Sequence, residues 1–350
     1  MNRYSSDLLI SMRQNTGLLF AIVLFAAIYL LCNVVHPKGF STPVLVQNAD
    51  EVFALALLAM AQTAPVLLGG LDLSVGAVMT MVNCLASHLV IGSAFEIASG
   101  ILICLVSGTI FGLINGLIVV YGRLQPIIVT LASGAIALGL ALLLRPKPGG
   151  KIDEDLSWAL TNSLADFAET YGLFDGGKAG WFQPIAWVPV ALLLLILITV
   201  LVWLPSRRTI IGRTIYAIGS SDGAAYMSGL PIAGAKLAAF TLAGFFAAVG
   251  GLFLAIQTSS GNADIPQAGA YTLNSIAAVV IGGTSLLGGT GSAIGSIFGA
   301  LVLRVISFNF RIFDVGRLLQ PLVEGVVLLA AVSLRALAML RVKNTLELFR

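Results

Sequence analysis

Ten long apolar runs follow one another along the chain, separated by short polar segments. They cover residues 17–36, 51–69, 74–92, 97–121, 126–144, 185–205, 236–256, 272–288, 291–310 and 317–336. Each approaches the roughly 20 residues that a helix needs to cross a bilayer. The pattern predicts an all-α polytopic membrane protein with about ten transmembrane helices. For the eighth and ninth runs, one helix broken inside the membrane at Gly288–Gly291 is the alternative.

The lysine and arginine positions predict which loops face the cytoplasm. With the N-terminus inside, eleven basic residues fall on the cytoplasmic side and seven outside, four of them around one long loop. Long loops count little in the positive-inside rule. Both termini are therefore predicted to be cytoplasmic. Residues 1–350 then form a single transmembrane domain, with an external loop at 145–184 and a cytoplasmic loop at 206–235.

The composition excludes the soluble classes of protein. Of the 350 residues, 58% are hydrophobic and 10% are charged, and the mean hydropathy is +1.00. Soluble domains average about 25% charged residues, and a globule of this composition could not keep its surface in water. The net charge of +3 gives no reason to expect a nucleic-acid partner.

The sequence lacks the groupings that catalysis or metal binding would need. Cys32, Cys84 and Cys104 are far apart and lie in apolar runs, so they form neither a disulfide framework nor a metal site. No stretch matches the phosphate-binding loop G-x-x-x-x-G-K-[ST], so the chain is not expected to hydrolyse ATP itself. We therefore predict that it is not an enzyme, and that it holds no metal and no cofactor.

Polar side chains inside the apolar runs mark a candidate substrate path, because each of them is costly in a bilayer. The predicted path residues are Asp72, Ser74, Asn83, Asn115, Thr130, Asn274 and Thr284. Asp72 and Ser74 follow a Gly-Gly pair, which leaves two interpretations. They cap the start of the next helix, or they belong to an unwound break that lines a cavity. For Arg304 and Glu324, in neighbouring runs, mutual neutralisation is one interpretation.

Glycines spaced four apart predict close helix packing. They are Gly108, Gly112 and Gly116 in the fourth run, and Gly291, Gly295 and Gly299 in the ninth. The stretch Gly108–Gly112 also matches Gly295–Gly299, five runs later, which favours an inverted repeat of five and five spans. A second likeness, Gly69-Gly70 against Gly282-Gly283, has a different offset, so at most one of the two records a repeat. Convergent close packing is the alternative.

Four segments carry a resemblance to a known family. They are Gly69–Ala77; Asn115-Gly116 with Gln125–Leu131; Gly212–Gly219 continuing through Ala224-Ala225, Ser228–Leu230 and Lys236; and Tyr271–Ser285 with Gly288-Gly289. Together with Asn309, Gln320 and Gly325 they make the chain similar, over nearly everything beyond residue 50, to one class of proteins. These are the permease subunits of bacterial ATP-binding-cassette importers of the ribose, xylose and galactose class.

The resemblance implies a path for a sugar or sugar-like solute across the bacterial inner membrane. It also implies partners besides membrane lipid: a cytoplasmic ATPase subunit that hydrolyses ATP, a second permease copy or a paralogue, and a periplasmic solute-binding protein. The cytoplasmic loop becomes the element on which the ATPase docks. The expected coupling residues are Gly219, Ser221, Asp222, Ala224, Ala225, Ser228 and Gly229.

The chain departs from the family pattern at four positions. Thr272 and Asn274 stand where the family usually has acidic residues, Ser221 stands where asparagine is frequent, and Glu324 stands where lysine is frequent. These differences concern the solute and the fine chemistry rather than the class. An ion-coupled secondary transporter of a small polar solute is the alternative function. It would need more ionisable side chains in mid-span than this sequence has.

Overall fold

The computed structural model describes residues 16–35, 41–172 and 184–312, with isolated positions between 319 and 333. Within these ranges the fold is helical, apart from two isolated β-bridges. The helices are α1 (Thr16–Val35), α2 (Thr42–Leu67), α3 (Val75–Leu89), α4 (Ala94–Tyr121), α5 (Pro126–Leu144), α6 (Glu154–Leu160), α7 (Leu164–Thr170), α8 (Val190–Arg208, with a π-helical turn), α9 (Ile210–Ser220), α10 (Asp222–Met227), α11 (Ile232–Thr258), α12 (Ile265–Ile281) and α13 (Ala293–Ile312).

The first nine predicted runs each coincide with a helix, and only isolated positions of the tenth are among the described residues. In the described part, α2, α4, α5, α8 and α11 are long and apolar enough to cross a membrane. Shorter apolar stretches lie in α1, α3, α12 and α13. The eighth and ninth runs are two separate helices, with residues 282–292 between them. The structure is therefore that of a polytopic membrane protein.

Helices α2 and α11 form the centre of the bundle. In α11, 78% of the most apolar window is buried, and in α2 61%, against 22% in α4 and 33% in α5. The rings of Phe53 and Phe253 meet across the α2–α11 contact with centroids 4.0 Å apart. Helices α4 and α5 thus present most of their apolar surface outward, which in a membrane protein suits lipid or another subunit.

The loops collect at two ends of the bundle. At one end, the amide of Gly289 donates to the carbonyl of Leu67 at 3.0 Å, and the hydroxyl of Tyr216 donates to the carbonyl of Gly291 at 3.0 Å. At the other end, Gly149 and Gly261 exchange backbone hydrogen bonds, and the hydroxyls of Ser157 and Ser259 lie 2.9 Å apart. This grouping is what helices that cross in alternating directions produce.

The glycines of α4 lie against α11. A methyl group on Gly112 would collide with the carbonyl of Phe240 and with Gly244. Gly108 meets Gly244 and Ala248 in the same way, and Gly116 meets Leu237. Their shared face lets two backbones approach more closely than side chains would permit.

The glycines of the ninth run behave differently. Gly295 and Gly299 pack against the end of α12, where methyl groups would collide with the carbonyls of Gly282 and Ala278. The expectation that Gly291 belongs to the same helix face is wrong. It precedes α13, in a turn, with a φ of 141° that only glycine adopts readily.

Candidate functional site

The chain unwinds between α2 and α3, at residues 68–74, here called the first break. Helix α2 ends at Leu67, two residues after Pro65. Gly69 then takes a φ of 79°, a left-handed conformation that a side chain would disfavour, and the amide of Gly70 returns to the carbonyl of Pro65 at 3.0 Å. The Gly-Gly pair therefore lets the chain turn within about one residue and leaves the following polar residues inside the bundle.

Asp72 lies in this break and is only 1% exposed. Its Oδ1 accepts hydrogen bonds from the amide of Ser74 at 2.9 Å and from the Ser74 hydroxyl at 2.6 Å. A carboxylate that binds the backbone two residues further on closes an Asx turn. Ser74 is the N-cap residue of α3, but its side chain makes no capping hydrogen bond there. The geometry of Asp72 is therefore that of a turn within the break rather than that of a side-chain cap.

Side chains from three other helices reach the first break. Asn115 of α4 donates to the Ser74 hydroxyl at 2.9 Å, and the Thr130 hydroxyl of α5 accepts from the amide of Leu73 at 2.9 Å. The amide of Gln62 in α2, oriented to satisfy both groups, donates to the Asp72 carbonyl at 2.8 Å and accepts from its amide at 3.2 Å. We call Gln62, Asp72, Ser74, Asn115 and Thr130 the Asp72 cluster.

Polar groups rather than a cation surround the Asp72 carboxylate in this cluster. Among the described residues, no basic side chain forms an ion pair with Asp72. Asn115 is fully buried, and its Oδ1 lacks a hydrogen-bond partner in the described part of the chain. A buried acceptor without a donor is unusual and calls for an explanation such as an ordered water or a ligand. The arrangement is able to receive a hydroxyl donor next to a buried carboxylate.

The other predicted path residues lie away from the cluster. Asn83 is near the opposite end of α3, where its Oδ1 accepts from the amide of Asn262 at 2.9 Å. Thr284 is buried in the second gap between helices, and its Oγ1 accepts from the amide of Ser292 at 3.3 Å. Asn274 is half-buried in the middle of α12. The structure thus brings Asp72, Ser74, Asn115 and Thr130 together and leaves these three apart.

Residues 282–292, between α12 and α13, are here called the second break. Gly283, Gly288, Gly289 and Gly291 all have positive φ angles there. Backbone groups hold it, with the amide of Ser285 donating to the carbonyl of Thr290 at 2.9 Å and the amide of Gly289 to that of Leu67 at 3.0 Å. The segment contains no ionisable side chain.

Helices α9 and α10 form the predicted docking element. Helix α10 points two large apolar side chains outward: Tyr226 is 74% exposed and Met227 is 85% exposed. The Ser221 hydroxyl accepts from the amide of Ala224 at 3.3 Å and caps the helix. Asp222 pairs with Lys236 at the start of α11, with 3.2 Å between the charged atoms.

Two of the predicted coupling residues face the interior of this chain. Ala225 is 3% exposed, and a methyl group on Gly219 would collide with the carbonyl of Leu67. The expectation that they offer a surface to a partner needs correction, because Ala225 lies on the side of α10 that packs on the bundle and Gly219, in α9, packs against the end of α2 and the second break. The remaining five, Ser221, Asp222, Ala224, Ser228 and Gly229, are exposed.

An open cavity of about 980 Å³ joins the first break to the docking element. Its walls include Gly69 and Gly70 from the break, Arg123 and Gln125 from the α4–α5 loop, and Tyr226 of α10. A solute that passed the first break towards this end of the bundle would enter this cavity.

Sequence reasoning missed two buried residues of α2 that have a carboxylate or amide side chain. Gln62 is fully buried and belongs to the Asp72 cluster, and Asp50 is 7% exposed with an Oδ1 that lacks a partner among the described residues. Gln62 stands in the middle of the second apolar run, so the criterion that selected Asn115 would have found it. Asp50 fell one residue before the start assigned to that run.

The predicted pairing of Arg304 with Glu324 falls outside the described residues, because the Glu324 side chain is not among them. The Arg304 guanidinium lies 5.3 Å from the centre of the Tyr271 ring. That distance is within the range of a cation–π contact.

Residues 45–332 match the family described as the permease component of a branched-chain amino acid transport system. The chain therefore belongs to this family of transport permeases, which is not a family of enzymes, and it is a multi-pass membrane protein.

Several characterised relatives match along most of their length. The ribose import permease protein RbsC of Bacillus subtilis is 32% identical over 87% of this chain and 88% of its own. The protein of the same name from Haemophilus influenzae is 29% identical over 89% and 90%. The fructose import permease protein FrcC of Rhizobium meliloti is 30% identical over 89% and 83%. No solved structure matches the chain.

Proposed function

We propose that this chain is the permease subunit of an ATP-binding-cassette importer that carries a sugar or sugar-like solute across the bacterial inner membrane. The observation that carries the proposal is the near full-length match to permeases named for ribose and fructose import. The absence of a phosphate-binding loop from the sequence agrees with a separate subunit that hydrolyses ATP.

The proposed topology has ten spans and cytoplasmic termini. The excess of basic residues then puts the two breaks and α10 on the cytoplasmic side. The helix contacts support an inverted repeat of five and five spans. Helix α4 packs on α11 as α13 packs on α2, and α3 packs on α11 as α12 packs on α2. Exchanging the two halves therefore maps one set of contacts onto the other.

The sequence likeness between the glycine stretches does not support that repeat. Gly112 faces α11, the seventh span, so an equivalent Gly299 would face the second span. It faces Ala278 of the eighth span instead. Close packing that arose separately in the two halves explains these glycines better. The proposed repeat therefore rests on the helix packing alone.

The Asp72 cluster is the proposed part of the solute path. Its unpartnered Asn115 oxygen suits a hydroxyl donor, and solutes of the sugar type are rich in hydroxyl groups. The cavity of about 980 Å³ then serves as the cytoplasmic exit. Asn83, Asn274 and Thr284 stay candidates for other parts of the path.

Each exposed surface has a proposed partner. The outward Tyr226 and Met227 of α10 meet the ATPase, because exposed aromatic side chains at the centre of an interface contribute most to binding. The outward faces of α4 and α5 meet lipid and a second permease copy or a paralogue. The residues around 145–163 meet a periplasmic solute-binding protein.

Co-purification of the ATPase with the permease tests the proposal. The variant Tyr226→Asp should lower the amount of ATPase recovered at least about tenfold, the ratio that corresponds to 1.4 kcal/mol of binding free energy. Trp158→Asp is the matched control, since Trp158 is 58% exposed at the opposite end of the bundle. Solute uptake by the permease alone, driven by an ion gradient in proteoliposomes, would contradict the proposal and favour the secondary transporter.

A further inference from the structure

Three segments of the chain meet at a junction without intervening side chains. It consists of Gly219 in α9, Gly288 and Gly289 in the second break, and Gly69 in the first break, all around the carbonyl of Leu67. A Cβ on Gly288 would lie 2.9 Å from the Cα of Gly219, from the amide of Gly69 and from the Leu67 oxygen. A Cβ on Gly219 would collide with the Leu67 oxygen and the Gly289 nitrogen. We call this contact the glycine junction.

Hydrogen bonds fix the junction on both sides. The amide of Gly289 donates to the Leu67 carbonyl at 3.0 Å, which ties the second break to the end of α2. One turn before Gly219 on the same face of α9, the hydroxyl of Tyr216 donates to the carbonyl of Gly291 at 3.0 Å. Burial raises the pKa of Tyr216 above its usual value, against the opposing effect of Arg207, so the phenol stays protonated and able to donate.

Helix α9 is joined to α10 through one extended residue, Ser221. The amide of Ser221 donates to the carbonyl of Ala217, and its own carbonyl accepts from the amide of Ala225, both at 3.0 Å. Ala225 is buried, so α10 is packed on the bundle through this side chain. A displacement of the exposed tip of α10 therefore moves α9 as well.

A contact between backbones transmits movement because no rotamer change can absorb it. We infer that Gly219 and Tyr216 are positioning residues that transmit the movement of α10 through the glycine junction to both helix breaks at once. This inference rests on the proposed function, since it takes α10 to be the element that the ATPase moves. The inference adds to that function a specific contact, the glycine junction. Through this contact the first break, with its Asp72 cluster, moves together with the second break.

The test uses the complete importer in proteoliposomes and measures solute transported per ATP hydrolysed. Tyr216→Phe removes one hydroxyl and leaves the ring in place, so the complex should assemble normally. The loss of one hydrogen bond, worth about 0.5–1.5 kcal/mol, should lower this ratio about two- to tenfold. Gly219→Ala should lower it further. Gly269→Ala in α12 is the control, because nothing lies within 4 Å of the added methyl group, and it should leave the ratio unchanged.

The outcomes separate the inference from the proposed function. A normal ratio in Tyr216→Phe would overturn the inference, even if Gly219→Ala failed to accumulate in the membrane. An equal fall of the ratio in Gly269→Ala would also overturn it. If the unmodified permease recovers no ATPase at all, the proposed function fails instead, and it does so before any variant is compared.

Discussion

The two helix breaks lie at the same end of the bundle but are built differently. The first is held by side chains: a buried carboxylate at Asp72, with Gln62, Asn115 and Thr130 reaching it from three helices. The second is held by its backbone, with four glycines at positive φ and no ionisable side chain. The hydrogen bond from the amide of Gly289 to the carbonyl of Leu67, at the end of α2, ties the second break to the first.

The first break therefore offers polar groups that can bind a solute, whereas the second offers a close fit between backbones. A buried carboxylate with an unsatisfied acceptor next to it is expensive to maintain, so such groups usually mark function in membrane proteins. A glycine-rich turn that fits closely against another backbone tolerates no added volume, but it offers little to bind a solute. We therefore expect changes in the second break to affect assembly and changes in the first to affect transport.

The largest effect should come from added volume beside the second break. Gly299→Leu would push a side chain into the carbonyl of Ala278 and the amide of Gly282, and overpacking costs about 1–3 kcal/mol or more where neighbours cannot shift. We expect little folded protein in the membrane and a lowered melting temperature in detergent. Gly269→Leu on the open face of α12 should behave like the unmodified protein. Normal levels and melting for Gly299→Leu would show that the second break adapts.

A change of charge without a change of volume should give the next largest effect, on transport alone. Asp72→Asn weakens two hydrogen bonds to a charged group, each worth about 1.5–3 kcal/mol, and transport should fall at least about tenfold at normal protein level. Ser285→Ala in the second break should change transport less than about twofold, since it removes a long hydrogen bond, from the amide of Leu287 at 3.3 Å. A parallel loss of transport and stability in Asp72→Asn would favour a purely structural cap.

The smallest effect should come from Asn115→Ala. It removes one hydrogen bond to the Ser74 hydroxyl, worth about 0.5–1.5 kcal/mol, and also removes an acceptor that lacks a partner. Transport should fall about two- to fivefold through a raised apparent KM for the solute. Thr199→Val is the control, since it removes a buried hydroxyl bond to the carbonyl of Leu195 within α8, a helix that contributes no residue to the Asp72 cluster. If both variants lose transport equally, Asn115 has no specific role in the path.

Helix positions were largely predictable, because an apolar run of spanning length has few other structures in a bilayer. Nine predicted runs coincide with helices, including the separate helices on either side of residues 282–292. The boundaries shifted where a glycine or proline, rather than the end of the apolar run, ended the helix. Gly291 is the clearest example, since its apolar surroundings predicted a helix and its φ of 141° put it in a turn.

The polar residues were predictable one by one but not as a group. Asp72, Asn115 and Thr130 each stand out in an apolar run, yet they are separated by dozens of residues and meet only because α4 and α5 pack on α3. Asn83 stands out equally and lies at the other end of the bundle. Nothing in the sequence distinguishes the two cases.

The sequence by itself determined the class of the protein, the order of its helices and the polar residues that need an explanation. These follow from composition and local pattern, because the bilayer imposes the same requirement on every segment. Only the tertiary structure decided which polar residues form the Asp72 cluster, that Ala225 and Gly219 face inward, and that two distant breaks share the glycine junction. Those outcomes depend on contacts between segments far apart in the chain. The local pattern around a residue does not specify which side chains it meets across a helix interface.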